Sequence, residues 1–196
     1  EAALFYFSKG VALAKKIGNA QLVYDAYQKN IMLASTNGMN EIALLYSVRI
    51  YEFMKSRGSF YEGRMFSGIG YNLSAMGKNA LAEKYYNHAI EIFYELRRSE
   101  DIAEVYYNRA LNYLMQRQFK EAEHDLLFVM KVIEKLHLNS LRVCNLSKLY
   151  ALLALIGIMQ DDRFTCERYL LSCRQFLNYI IEKEKNNKNE EIIHDY

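Results

Sequence analysis

Proline is absent from the 196 residues, and glycine occurs only nine times. Without proline, the chain lacks the residue that most often breaks helices and central strands. Long helices joined by short turns suit that composition. Cysteine is also scarce: Cys144, Cys166 and Cys173 are an odd number with no CxxC pair, which fits a reducing compartment. Neither charge sign dominates. The net charge is +2 and acidic and basic residues are intermixed, so no overall electrostatic footprint for nucleic acid is present. The longest nearly unbroken apolar run, Leu149 to Met159, falls short of the about 20 residues that span a bilayer. No signal peptide is visible. The chain opens Glu1-Ala2-Ala3, without methionine and already inside a helical pattern, and reads as a segment of a longer protein. What remains, 52% hydrophobic and 24% charged, is the composition of a folded domain.

Gly18, Gly38, Gly58 and Gly77 fall 20, 20 and 19 residues apart, each in a small polar cluster. Glycine just past a helix tolerates the left-handed conformation that ends it. The beat continues without glycine at 97–101, Arg117-Gln118, 138–140 and 160–162. Between the breaks apolar residues recur every three or four positions, as in Leu81, Ala82, Tyr85, Tyr86, Ala89, Ile90 and Phe93. This is one broad helical face, and no segment alternates with period two over strand length. The pattern predicts nine helices, near 1–16, 20–36, 40–56, 60–76, 80–97, 101–116, 119–136, 140–159 and 163–185. Connections this short make neighbours antiparallel. The unit is then a helical hairpin of about 40 residues, which cannot bury its apolar face alone and must stack.

Residues 66–90 carry Phe66, Ile69, Gly70, Gly77, Ala82, Tyr86 and Ala89. This spacing resembles the tetratricopeptide repeat. The family has a large residue opening the first helix, a Leu-Gly pair three residues on, a glycine turn, and Ala, aromatic and Ala positions on the second helix. Gly70 lets the second helix approach the first. Weaker copies lie before and after, and the aligned small positions Ala3, Ala43, Ala82, Ala122 and Cys166 are spaced 40, 39, 40 and 44. The family's usual period is shorter, and its closing proline is missing. Long repeats of this kind resemble sensor or interaction regions of bacterial regulators. The resemblance implies an all-α, right-handed tetratricopeptide superhelix over 1–181, with repeats at 1–18 (partial), 20–58, 60–98, 101–138 and 140–181. Residues 182–196, with eight charged residues and three asparagines, read as a charged helix extension or a linker.

No catalytic constellation stands out. His88, His124, His137 and His194 lack metal-pair spacing, and they read as solvated or packing residues. Gly68-Ile69-Gly70 lacks the preceding strand of a dinucleotide fingerprint. Cys166 and Cys173 read as small apolar residues of a packed stripe. No metal and no cofactor are expected. In the resembled family the first helices line a concave groove. That alignment implies Gln28, Met32, Arg64, Ser67, Tyr71, Glu104, Tyr107, Asn108 and Leu111 as groove residues, with Lys148, Ala151 and Leu155 further along. Asn108 matches an asparagine that bonds a peptide backbone in many repeats. The lysine, asparagine and arginine clamp of the chaperone adaptors is replaced by Ser67, Tyr71 and Glu104. What remains is an aromatic and apolar groove with scattered polar groups, suited to an amphipathic helix or an apolar peptide.

The run Leu149–Met159 is apolar all round, and its face around Leu152, Leu155 and Met159 needs a cover. Together these features point to a non-enzymatic, cytoplasmic protein- or peptide-binding region of a bacterial regulator. Its partner would be a protein, a peptide or another domain of the same chain, with homodimerisation through the last hairpin as one route. Neither nucleic acid nor a membrane is expected to bind it directly. The rival reading is a helical-repeat enzyme or enzyme accessory with a site in the groove.

Overall fold

The computed structural model describes residues 2–56, 58–135 and 139–194. Among them the backbone forms nine α-helices and no strand. They are α1 (Ala2–Ile17), α2 (Ala20–Thr36), α3 (Asn40–Met54), α4 (Ser59–Ala75), α5 (Asn79–Glu95), α6 (Ser99–Met115), α7 (Phe119–Lys135), α8 (Asn139–Met159) and α9 (Arg163–His194). The chain divides into two compact units, Glu1–Arg117 and Gln118–Tyr196. The first holds α1 to α6 and the second α7 to α9. The fold is all-α and tetratricopeptide-like in its hairpins.

The helix stops follow the beat read from the sequence. At Gly77 (φ 72°), the Gly77 N–H donates to Ser74 O at 2.9 Å and the Lys78 N–H to Leu73 O at 2.9 Å. This double closure satisfies two of the carbonyls a helix end leaves open, and it needs a left-handed residue. Arg97 makes the same closure without glycine. Its φ is 54°, its N–H donates to Tyr94 O at 3.1 Å, and the Arg98 N–H donates to Phe93 O at 2.9 Å. Arg117 (φ 58°) and Asp161 (φ 57°) complete the series. The expected break at 138 and His137 lie outside the described residues, as do the side chains of Ala3, Cys144 and His194.

In the first unit, consecutive helices pack against one another from α1 to α6. Val23, Tyr27, Ile31, Ile50, Met54 and Met65 form part of its core. The α4–α5 hairpin is the tightest. A Cβ on Gly70 would lie 2.8 Å from Tyr86 Cε1 and 3.2 Å from Ala82 O, and one on Gly63 would lie 2.8 Å from Phe93 Cε1. The aligned alanines Ala43 and Ala82 are fully buried, as helix contacts this close demand.

In the second unit, α8 packs on both α7 and α9. Leu126 and Ile133 of α7, Leu149, Leu153 and Ile156 of α8 and Tyr169 of α9 are buried. Gly157 brings the backbones of α8 and α9 together: a Cβ there would lie 2.7 Å from the Cys166 nitrogen. The apolar periodicity of α9 ends near Ile181, yet the helix runs on to His194. No glycine or proline follows, and the glutamates and lysines there are good helix formers. No described helix is long and apolar enough to cross a membrane.

Candidate functional site

Within the first unit α2, α4 and α6, with the ring of Phe93 from α5, border a cleft of about 350 Å³. Of the groove residues expected from the sequence, Gln28, Met32, Arg64, Ser67, Tyr71, Glu104 and Asn108 line it, whereas Tyr107 and Leu111 do not. The reason is helical register. α6 turns Asp101, Glu104, Val105 and Asn108 toward the cleft, an i, i+3, i+4, i+7 stripe. Tyr107 falls beside that stripe and Leu111 lies one turn beyond Asn108, past the end of the cleft; both are half-buried.

The sequence reading missed Tyr24, Ile31, Ser35, Asn72, Phe93 and Asp101, which also line the cleft. Extending the α2 stripe by one turn on either side would have found Tyr24 and Ser35. Phe93 carries no such signal, because its ring comes from α5 and packs where Gly63 has no side chain.

The lining is chemically mixed. Ile31, Val105 and Phe93 supply buried apolar surface, while Met32 (64% exposed) and Tyr71 (48% exposed) stand out from the wall. Burial pushes the Tyr24 hydroxyl above its ordinary pKa. The Arg64 charge and a hydrogen bond from Gln28 work against that rise, and Glu104 and Asp25 add to it. Tyr24 is therefore a neutral phenol. Gln28 Nε2 donates to its oxygen at 3.0 Å, which leaves the phenolic proton available to an acceptor in the cleft.

Two hydrogen-bonded groups are already committed. Arg98 Nε donates to Asp101 Oδ2 at 2.8 Å. Asn72 joins three helices: its Nδ2 donates to Ser47 Oγ at 3.1 Å and to Gly68 O at 3.0 Å, and its Oδ1 accepts from Ser35 Oγ at 2.9 Å. Arg64, Glu104 and Asn108 differ, for their side chains have no hydrogen-bond or ion-pair partner among the described residues. The Arg64 guanidinium instead lies 5.7 Å from the ring centroids of Tyr24 and of Phe60. No histidine or cysteine lines the cleft.

Elsewhere, His88 and His124 are exposed, and Cys166 and Cys173 are free and half-buried. Among the described residues no group of three or more His, Cys, Asp or Glu could hold a metal ion. On α8, Leu155 (44% exposed) and Met159 (47%) stand in the open, joined by Ile158 (60%), while Leu152 is half-buried.

Residues 61–127 match the family described as tetratricopeptide repeat. No curated protein matches the chain. Among solved structures it is similar to BtubC (BKLC) from P. vanneervenii, with 17% identity, a TM-score of 0.72, and coverage of 83% of this chain and 66% of that one. The chain thus spans slightly less than two thirds of that relative's length. It is also similar to a chain of nearly identical TPR-like repeats from Podosopora anserina, with 16% identity, a TM-score of 0.66, and coverage of 91% and 87%. The apo form of RapI aligns with 14% identity, a TM-score of 0.65, and coverage of 95% and 74%. At these identities the likenesses establish the fold.

Proposed function

We propose that this protein is a non-catalytic interaction module whose α2–α4–α6 cleft takes an extended peptide segment of a protein partner. One observation carries the reading: Arg64, Glu104 and Asn108 stand without hydrogen-bond partners in a concave site that also offers apolar and aromatic surface. An asparagine amide both donates to and accepts from an extended main chain, and apolar walls with a few convergent polar groups are the usual form of a ligand cleft. The tetratricopeptide match, which includes α4 and α6, supports an interaction role. In this reading the module belongs to a larger cytoplasmic bacterial regulator, where occupancy of the cleft biases an effector domain. The hairpin period near 40 residues, resembling that of regulator sensor regions, supports that context.

The test is a display selection of random dodecapeptides against the whole chain, followed by affinity measurement. Ser67→Trp fills the mouth of the cleft and is expected to weaken the selected peptides at least tenfold. Asn108→Ala removes a main-chain bond, worth about 1 kcal/mol. Circular dichroism should show unchanged helicity in both. Peptides that bind the tryptophan variant as well as the parent would remove the cleft from consideration.

A second surface favours self-association, and we assign its occupant to a second copy of this chain. Leu155, Ile158 and Met159 of α8 and Phe164 of α9 (75% exposed) are large apolar side chains in the open. A specific interface buries at least about 1,000 Å², and these side chains would form the apolar centre of one in a symmetric pair. Light scattering across concentration is expected to show a dimer that Leu155→Asp with Ile158→Asp converts to monomer. A parent chain that stays monomeric at every concentration rejects the pairing.

A further inference from the structure

The cleft holds two open charges of opposite sign. Arg64 is exposed on α4 and Glu104 is exposed on α6. They pair neither with each other nor with any other described residue. The third charged group, Asp101, is already neutralised by Arg98 at 2.8 Å. Arg98 is itself held at 4.9 Å from the Phe60 ring. The Arg64 guanidinium lies over the rings of Tyr24 and of Phe60, each centroid 5.7 Å away. Stacking of this kind limits the guanidinium's orientations while leaving its N–H fork free. Arg64 is therefore set for one anion, and Glu104, on another wall of the same cleft, for one cation.

A bound segment displaces water from both charges. A neutral ligand would leave both desolvated and unmatched, and a ligand of one sign would match one and oppose the other. Each uncompensated charge disfavours the complex, so the pair selects against such ligands as well as for the matching one. Resting on the cleft reading above, we infer that the ligand is a dipolar peptide, presenting a carboxylate side chain to Arg64 and a lysine or arginine side chain to Glu104. The order of the two charges along the peptide then fixes its direction in the cleft.

The experiment uses the whole chain and capped, fluorescent nonapeptides of alanine, leucine and serine. Each carries one glutamate and one lysine, at every pair of positions and in both orders, with single-charge and uncharged peptides as controls. Anisotropy titration is expected to give a subset of dipolar peptides bound about tenfold or more tighter than any control. Either Arg64→Glu or Glu104→Arg alone should lose that preference. The double variant Arg64→Glu/Glu104→Arg should restore it for peptides of the reversed order. Equal binding of dipolar and uncharged peptides, or no reversal, overturns the charge assignment while binding that Ser67→Trp still abolishes keeps the cleft in place. Binding that ignores Ser67→Trp, or no binding by any peptide, overturns the cleft reading and this inference together.

Discussion

Replacing Gly157 by alanine is expected to destabilise the α8–α9 hairpin by about 2–4 kcal/mol, an overpacking penalty at the high end. The new methyl group would lie 2.7 Å from the Cys166 nitrogen, 3.0 Å from its Cα and 3.1 Å from Asp162 O. All three are backbone atoms of the α9 entry, so no side chain can swing aside. α9 would have to lift from α8, loosening the packing of Leu153, Ile156 and Tyr169, all of them buried. Thermal denaturation should show a midpoint lower by roughly 5–15 °C, with amide exchange rising first in α8 and α9. Gly10→Ala is the control. It is helical, nothing lies within 4 Å of its added Cβ, and it should gain about 0.5–1 kcal/mol from the lost chain entropy. A Gly157→Ala protein as stable as its parent would mean that the two helices do not meet this closely in solution.

The second large effect concerns Asn72. It is fully buried and its amide is bonded at both ends, to Ser35, Ser47 and Gly68. Asn72→Ala removes three hydrogen bonds and opens a void between α2, α3 and α4. The expected loss is about 2–3 kcal/mol. Ser47 Oγ keeps its bond to Ala43 O, so the group stranded is Ser35. A double-mutant cycle with Ser35→Ala should accordingly show coupling of about 1 kcal/mol. Both residues line the cleft, so the same variants should weaken peptide binding. Asn112, one hairpin on, is a useful contrast. It too is fully buried, but it donates only to Asn79 O at 3.2 Å and its Oδ1 is unbonded. Asn112→Ala should cost less than Asn72→Ala by chemical denaturation. Equal losses would show that the three-helix junction adds nothing beyond side-chain volume.

Helix positions were legible because the stop signals and the apolar period agree. The beat located Arg97, Arg117 and Asp161 as well as the glycines, and all are left-handed. There the polar cluster, rather than glycine itself, marked the turn. On α4 the motif around Gly70 set the register, so Arg64, Ser67 and Tyr71 were placed on the cleft stripe. On α6 the same alignment reached too far, taking in Tyr107 beside the cleft stripe and Leu111 one turn past the last lining residue, Asn108. Phe93 was beyond reach, since its place in the cleft depends on a glycine one helix away. The division between Arg117 and Gln118 leaves no mark in composition or periodicity, for it depends on which packed contacts cross it.

The left-handed residues at 18, 38, 58, 77, 97 and 117 have a consequence for how such a chain changes length over evolutionary time. Each lies at a helix boundary, so a splice from one to the next but one removes or adds a whole hairpin and rejoins boundary to boundary. An insertion of any other size between them would shift the buried stripe of every turn after it within that helix. The chain can thus be lengthened or shortened in steps of about 40 residues, and the gene should tolerate duplication in those steps far better than small insertions inside the helices.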